Sequence, residues 1–179
     1  MPNEWVSLIA PAALIAGTGL LLLAALHDIV ARTVPNWVAG LLALTGLGAR
    51  IMSNNMLTGL AAAVLVFAIA AICWRRGWLG GGDVKLMAAA TLAVPPGHIG
   101  AFIVAMSVSG SILAVFYLAA GRIARAARLD GVARPVGEAP SRPTGFLARA
   151  TRVELWRLRR GGPLPYACAI AAGFLIVLF

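Results

Sequence analysis

Two short stretches place carboxylates beside unusual neighbours: His27-Asp28-Ile29-Val30-Ala31-Arg32-Thr33-Val34-Pro35-Asn36 and Gly80-Gly81-Gly82-Asp83-Val84-Lys85-Leu86. Each sets one aspartate at the end of a long apolar segment, and the only other aspartate, Asp130, lies in a polar stretch. An ionisable side chain at membrane depth is costly, and it usually handles ions, protons or substrate. Two carboxylates brought together cannot easily both ionise, so near neutral pH they share one proton. The charged member can take a proton from a water held between them. The protonated member can donate to a carbonyl that is turning tetrahedral. That titration belongs to the pair, so acid and base are not assigned separately.

Taken singly, each aspartate has a plainer reading. Asp83 precedes an apolar run and would serve as a helix N-cap. Asp28 would pair with Arg32, four residues on. Together, with so few other acids in the chain, they point to function. Arg32 and Lys85 are supporting candidates that would anchor a peptide, tune the pair or hold lipid headgroups; positive charge beside a span is also ordinary anchoring. Pro35 and Asn36 suit a loop that opens a second helix, with Asn36 as its cap. Gly80, Gly81 and Gly82 carry no side chains to block an approaching substrate strand. His27 reads as interfacial, and His98 falls on the opposite side. Trp5, Trp37, Trp74 and Trp78 fit interfacial belts. Cys73 and Cys168 sit in apolar segments without a CxxC partner or a visible general base, and read as small hydrophobes. Two cysteines and two histidines far apart do not make a structural zinc set. Neither a metal nor any other cofactor is expected.

The elements that must position the aspartates follow from hydropathy. About six apolar spans are expected, near 5–26, 37–52, 56–74, 84–94, 99–120 and 164–179. The expected fold is all-α, a polytopic membrane protein. Of the 15 basic residues, all but Arg50 fall in the loops after the first, third and fifth spans. Those loops should face the cytoplasm and both termini should lie outside, which puts Asp28 and Asp83 on the same cytoplasmic side. The fourth span rises only about 16 Å at helical pitch, against a hydrocarbon core of about 30 Å. It stops at Pro95-Pro96-Gly97, so Asp83 should lie below the cytoplasmic surface, with the three glycines forming an irregular dip. Such backbone is tolerated only where protein or a watery cavity touches it. The chain divides into a membrane region, 1–120, an Arg-rich cytoplasmic arm, 121–162, and a last span, 163–179. Within the arm, 122–143 reads as mobile, and 145–160 mixes apolar residues with arginines, which fits a helix lying on a membrane surface and equally a solvated loop with positive-inside charge.

Composition agrees. The chain has 179 residues, 61% of them hydrophobic, only 12% charged, and a mean hydropathy of +0.91. A soluble domain needs a more charged surface. The net charge of +9 is confined mostly to one loop, which suits anionic lipid and argues against nucleic acid. No basic region precedes the first span, so no cleavable signal peptide is expected.

These residues resemble the type IV prepilin peptidase family of membrane aspartyl proteases. Asp28, Arg32, Pro35 and Asn36 are similar to its D-x-x-x-R-x-x-P-N element. Gly80-Gly81-Gly82-Asp83 with Lys85 and Leu86 is similar to G-x-G-D-x-K-L. Pro165-Tyr166-Ala167, with Ala169 and Gly173, is similar to a P-[YF]-x-x-A segment. The resemblance implies that Asp28 and Asp83 are the catalytic pair. It also implies cleavage of a prepilin or pseudopilin leader after a glycine, at the cytoplasmic face of the bacterial inner membrane. The product would pass to pilus or secretion assembly machinery. The long form of the family carries two CxxC pairs linked to methylation of the new N-terminus. This chain has none, so it looks like the short peptidases of Flp/Tad-type pili, with no methyltransferase activity implied. Two other classes stay open: a small proton-coupled transporter, and a non-catalytic membrane protein of pilus or secretion assembly.

Overall fold

The structure is a computed structural model. It describes residues 4–31, 33–129 and 164–178, with side chains described for 12–31, 33–123 and 164–178. Among the described residues every regular element is helical: α1 (Glu4–Ala31), α2 (Asn36–Met52), α3 (Met56–Arg75), α4 (Gly81–Ala93), a 3-10 turn (Pro96–His98), α5 (Ile99–Leu129) and α6 (Tyr166–Leu178). Stretches of three of them, Ala12–Ala31, Met56–Arg75 and Pro96–Ile123, are long and apolar enough to cross a membrane, while α2 and α6 are shorter apolar helices. Arg32 and the segment 145–160, read as a surface helix or a solvated loop, lie outside the described residues. The start of the Arg-rich arm is helical, because α5 continues without a break to Leu129.

Helix α4 is the hub. It packs against α1, α2, α3 and α6, while α5 packs on α6. Small residues allow this crowding. Ala89, Ala90 and Ala93 of α4 are buried. A Cβ on Gly46 of α2 would come within 2.8 Å of the Ala93 backbone nitrogen. Without a hydrophobic drive between helices in lipid, such close backbone approach supplies the packing contacts. The core joins Leu21 and Ala24 of α1, Leu42 of α2, Leu86 and Ala90 of α4, Phe102 and Met106 of α5, and Ile170 and Phe174 of α6. Phe102 and Phe174 meet edge-to-face, with centroids 6.4 Å apart.

The outer surface is apolar. Leu57, Val64, Leu65, Phe67 and Ile69 of α3 and Val104, Ile112 and Val115 of α5 are largely exposed. A water-soluble monomer seldom shows such large contiguous apolar faces.

Several boundaries differ from the hydropathy reading in ways that matter for the site. Helix α1 runs on through Asp28 to Ala31, so that aspartate is helical rather than in a loop. The glycine run is not an irregular dip: Gly80 is the N-cap of α4, and Gly81 and Gly82 form its first turn. Asp83 is therefore the third helical residue and not the cap. The N-cap of α2 is Pro35, and Asn36 makes no capping bond, because its side-chain oxygen is engaged elsewhere.

Candidate functional site

The end of α1, the start of α2, the end of α3 and the start of α4 meet at one end of the bundle. Asp28, in the last turn of α1, is only 8% exposed. Asp83, in the first turn of α4, is half-buried. The two carboxyl groups lie within electrostatic range of each other. The pair singled out from sequence is thus brought together from two helices 55 positions apart in the chain. Proton sharing requires two carboxyls close together in a partly dry site.

The first turn of α4 is shaped around Asp83. The Asp83 carboxylate accepts a hydrogen bond from the Gly80 backbone amide, the arrangement by which an acid at the third helical position reaches back to the N-cap. Each glycine makes room for a different neighbour. A Cβ at Gly80 would sit 2.8 Å from Asp83 Oδ2, one at Gly81 would sit 3.3 Å from the Trp74 indole nitrogen, and one at Gly82 would sit 3.1 Å from the Val34 Cβ. Gly82 thus serves packing between the two motifs, Gly81 packing on the end of α3, and Gly80 the placing of the Asp83 carboxylate.

The motifs are tied together directly. Lys85 Nζ donates to Asn36 Oδ1 at 3.0 Å. His27 Nδ1 lies 2.6 Å from the Thr33 carbonyl oxygen. A carbonyl only accepts, so the proton must be on Nδ1, and the ring braces the turn between α1 and α2. Trp37, Trp74 and Trp78 are all more than half exposed. The Arg76 guanidinium lies 5.2 Å from the Trp78 ring centroid. Cys73 and Cys168 form no disulfide. Among the described residues no cluster of three or more His, Cys, Asp or Glu could hold a metal ion.

Two residues carry more than sequence reasoning assigned to them. Tyr166, part of the weakest of the three motif matches, opens α6 within electrostatic range of Asp83. Its ring edge would lie 3.1 Å from a Cβ at Gly110, so that glycine seats it. Arg50, read only as the one basic residue on the opposite side, is 3% exposed. Its Nε donates to the Leu92 carbonyl at 3.0 Å, and its Nη2 donates to the Val94 carbonyl.

A groove of about 430 Å³ runs beside the site. Its walls are Ala39, Gly40 and Ala43 of α2 and Val64 and Phe67 of α3; its floor is Ala88, Ala89 and Leu92 of α4; Asn36 and Lys85 close its polar end. It exists because α2 and α3 each lean on α4 more than on one another.

A helical bundle with three helices long and apolar enough to cross a membrane, and an apolar outer surface, is a membrane protein. The family follows from comparison. Residues 15–117, more than half of the chain, match the model of the type IV leader peptidase family, and the chain belongs to that family. The matched region includes Asp28 and Asp83 and stops short of Tyr166. No curated protein and no solved structure matches the chain. Membership makes the general function that of a prepilin-type leader peptidase, hence a protease.

Proposed function

We propose that this chain is a membrane-embedded aspartyl endopeptidase that removes the leader of a prepilin or pseudopilin after a glycine, with Asp28 and Asp83 as its catalytic pair. The observation that carries the reading is the juxtaposition of a buried Asp28 and a half-buried Asp83 at one end of the bundle. A water between them would lose a proton to the ionised carboxylate as its oxygen attacks the scissile carbonyl carbon. The protonated carboxyl would donate to the carbonyl oxygen. Collapse of the tetrahedral intermediate breaks the C–N bond, and the leaving amine takes up a proton from the pair.

The rest of the reading follows the same lines. The bundle would sit in the bacterial inner membrane with six spans, both termini outside and the dyad facing the cytoplasm, as the basic loops favour. The groove floored by α4 offers an apolar path for the substrate segment that follows the leader. Arg32, Lys85, Pro35 and Asn36 would support substrate or shape the dyad. No CxxC pair supports methyl transfer. Partners would be the prepilin-like substrate, membrane lipid and the assembly machinery that receives the product.

Purified protein in detergent, incubated with a prepilin leader peptide, tests this. Asp28→Asn and Asp83→Asn should each abolish cleavage while the protein still inserts, and the double variant should lose no more than either single one. A single variant with near-normal turnover would refute the dyad. Proton flux in vesicles without any cleavage would favour the transporter instead.

A further inference from the structure

Helix α4 carries Asp83 but has little to hold it at a given height. Its buried faces are mostly small and aliphatic: Ala89, Ala90, Ala93, Val84, Leu86 and Leu92. Close packing, as where Gly46 admits the Ala93 backbone, limits sliding, and directional bonds fix the axial register more sharply. At its far end the helix stops in an extended Val94, followed by Pro95 and Pro96, which have no N–H to offer the last carbonyls. Orphan carbonyls at a buried helix end need another donor, and lipid supplies none.

Arg50 is that donor. It enters from α2 and bonds the carbonyls of both Leu92 and Val94. A positive group at a helix C-terminus is also favoured by the helix dipole. The fit is close on the third side: a Cβ at Gly59 of α3 would lie 2.7 Å from Arg50 Cδ and 2.9 Å from its Nε. Helix α2 is joined to the Asp28 end of α1 by the short connection at 32–35. Arg50 therefore ties α4 to the same frame that carries Asp28.

We infer that Arg50 is the positioning residue that fixes the height of α4, and so of the Asp83 carboxyl, against Asp28. This rests on the proposed aspartyl mechanism. Arg50 acts about 14 Å along α4 from Asp83 and touches no reacting atom. The Lys85–Asn36 bond secures the near end, where both partners lie exposed on the surface of the bundle, and so holds less firmly.

The test pairs kinetics with a geometric readout. Arg50→Met keeps length and apolar packing but removes both bonds, and Arg50→Lys restores one donor and the charge. With a leader peptide, Arg50→Met should lower kcat about 100-fold, the cost of a misplacement near 1 Å, with KM within about twofold, and Arg50→Lys should recover part of the loss. Separately, Val34→Cys with Gly82→Cys, in a Cys73→Ser, Cys168→Ala background, reports where the first turn of α4 sits. Disulfide formation should be several-fold slower when Arg50→Met is added to the same cysteine pair. Wild-type kcat in Arg50→Met, a rise in KM alone, or a loss of kcat with unchanged cross-linking would each overturn the inference. If Arg50→Met does not accumulate, Gly59→Ala, which pushes a methyl against Arg50, is read by the same two measurements. Failure of the unaltered protein to cut any leader would refute the proposed function, while the cross-linking comparison would still decide the role of Arg50.

Discussion

Gly82→Val should cripple the enzyme with both aspartates intact, and Val34 is the reason. A Cβ at position 82 would lie 3.1 Å from the Val34 Cβ and 3.6 Å from its backbone nitrogen. Methyl carbons prefer about 3.5–4.0 Å, so even alanine needs about half an ångström of relief. Overpacking of this kind costs about 1–3 kcal/mol, and glycine to alanine inside a helix returns about 1 kcal/mol. Gly82→Ala should therefore cost between nothing and about 2 kcal/mol of stability. Valine adds two γ carbons and the χ1 stiffness of a branched side chain, so the first turn of α4 must move. Asp83 is the next residue and moves with it. A shift near 1 Å costs about 100-fold in rate, equivalent to about 2.7 kcal/mol of barrier. Steady-state kinetics on a synthetic leader peptide in detergent should show that loss in kcat. Adding Val34→Gly removes the Cβ that lies 3.1 Å from a Cβ at position 82 and should recover at least about tenfold, a non-additivity expected of touching residues. Wild-type turnover in Gly82→Val would refute the reasoning outright. A double variant no better than Gly82→Val would mean that the glycine makes room for the substrate strand and not for Val34.

Other perturbations follow from the same geometry. Asn36→Ala, Lys85→Met and their combination should each lower kcat/KM by about fivefold or less, since an exposed hydrogen bond contributes about 1 kcal/mol at most; multiplicative losses in the double variant would show that the two do not act as a pair. EDTA should leave cleavage unchanged, because the described residues hold no set of ligands for a metal; restoration of lost activity by an added divalent ion would contradict this. A cysteine placed at residue 140 should react with membrane-impermeant maleimide from the cytoplasmic side alone, and labelling from outside would overturn the proposed orientation.

The helices and the aspartate pair were legible in sequence because each leaves a local signal. Hydropathy marks α3 and α5, and a lone acid at the end of an apolar run is rare enough to notice. What escaped was decided by contacts between distant residues. The glycines look like a loop until Val34 and Trp74 are seen to press on them, and only then does a helical first turn make sense. Asn36 looks like a cap, but Lys85, 49 residues away, takes its side chain. Arg50 shows no pattern with its own neighbours, since its partners lie 42 and 44 residues on. A signal for it did exist: a single arginine in an otherwise apolar helix, and a double proline that leaves the end of another helix without donors. Tyr166 carries a weaker signal of the same sort, since a phenol at the start of an apolar segment needs a partner for its hydroxyl.

The brevity of α4 has a consequence for the lipid. Its 13 residues reach about 20 Å, in a hydrocarbon layer of about 30 Å, and its far end is fastened by Arg50. In the proposed six-span arrangement, with the Pro95–Pro96 end near the outer interface, the shortfall would collect at the glycine end. There the bilayer would have to thin, or solvent would have to descend to meet the Asp28–Asp83 pair. Hydrophobic mismatch costs fractions of a kcal/mol per ångström, so acyl-chain length becomes a dial on hydrolysis. In short-chain lipids the pair would stand close to bulk water, and in long-chain lipids each turnover would draw its water through a deeper well.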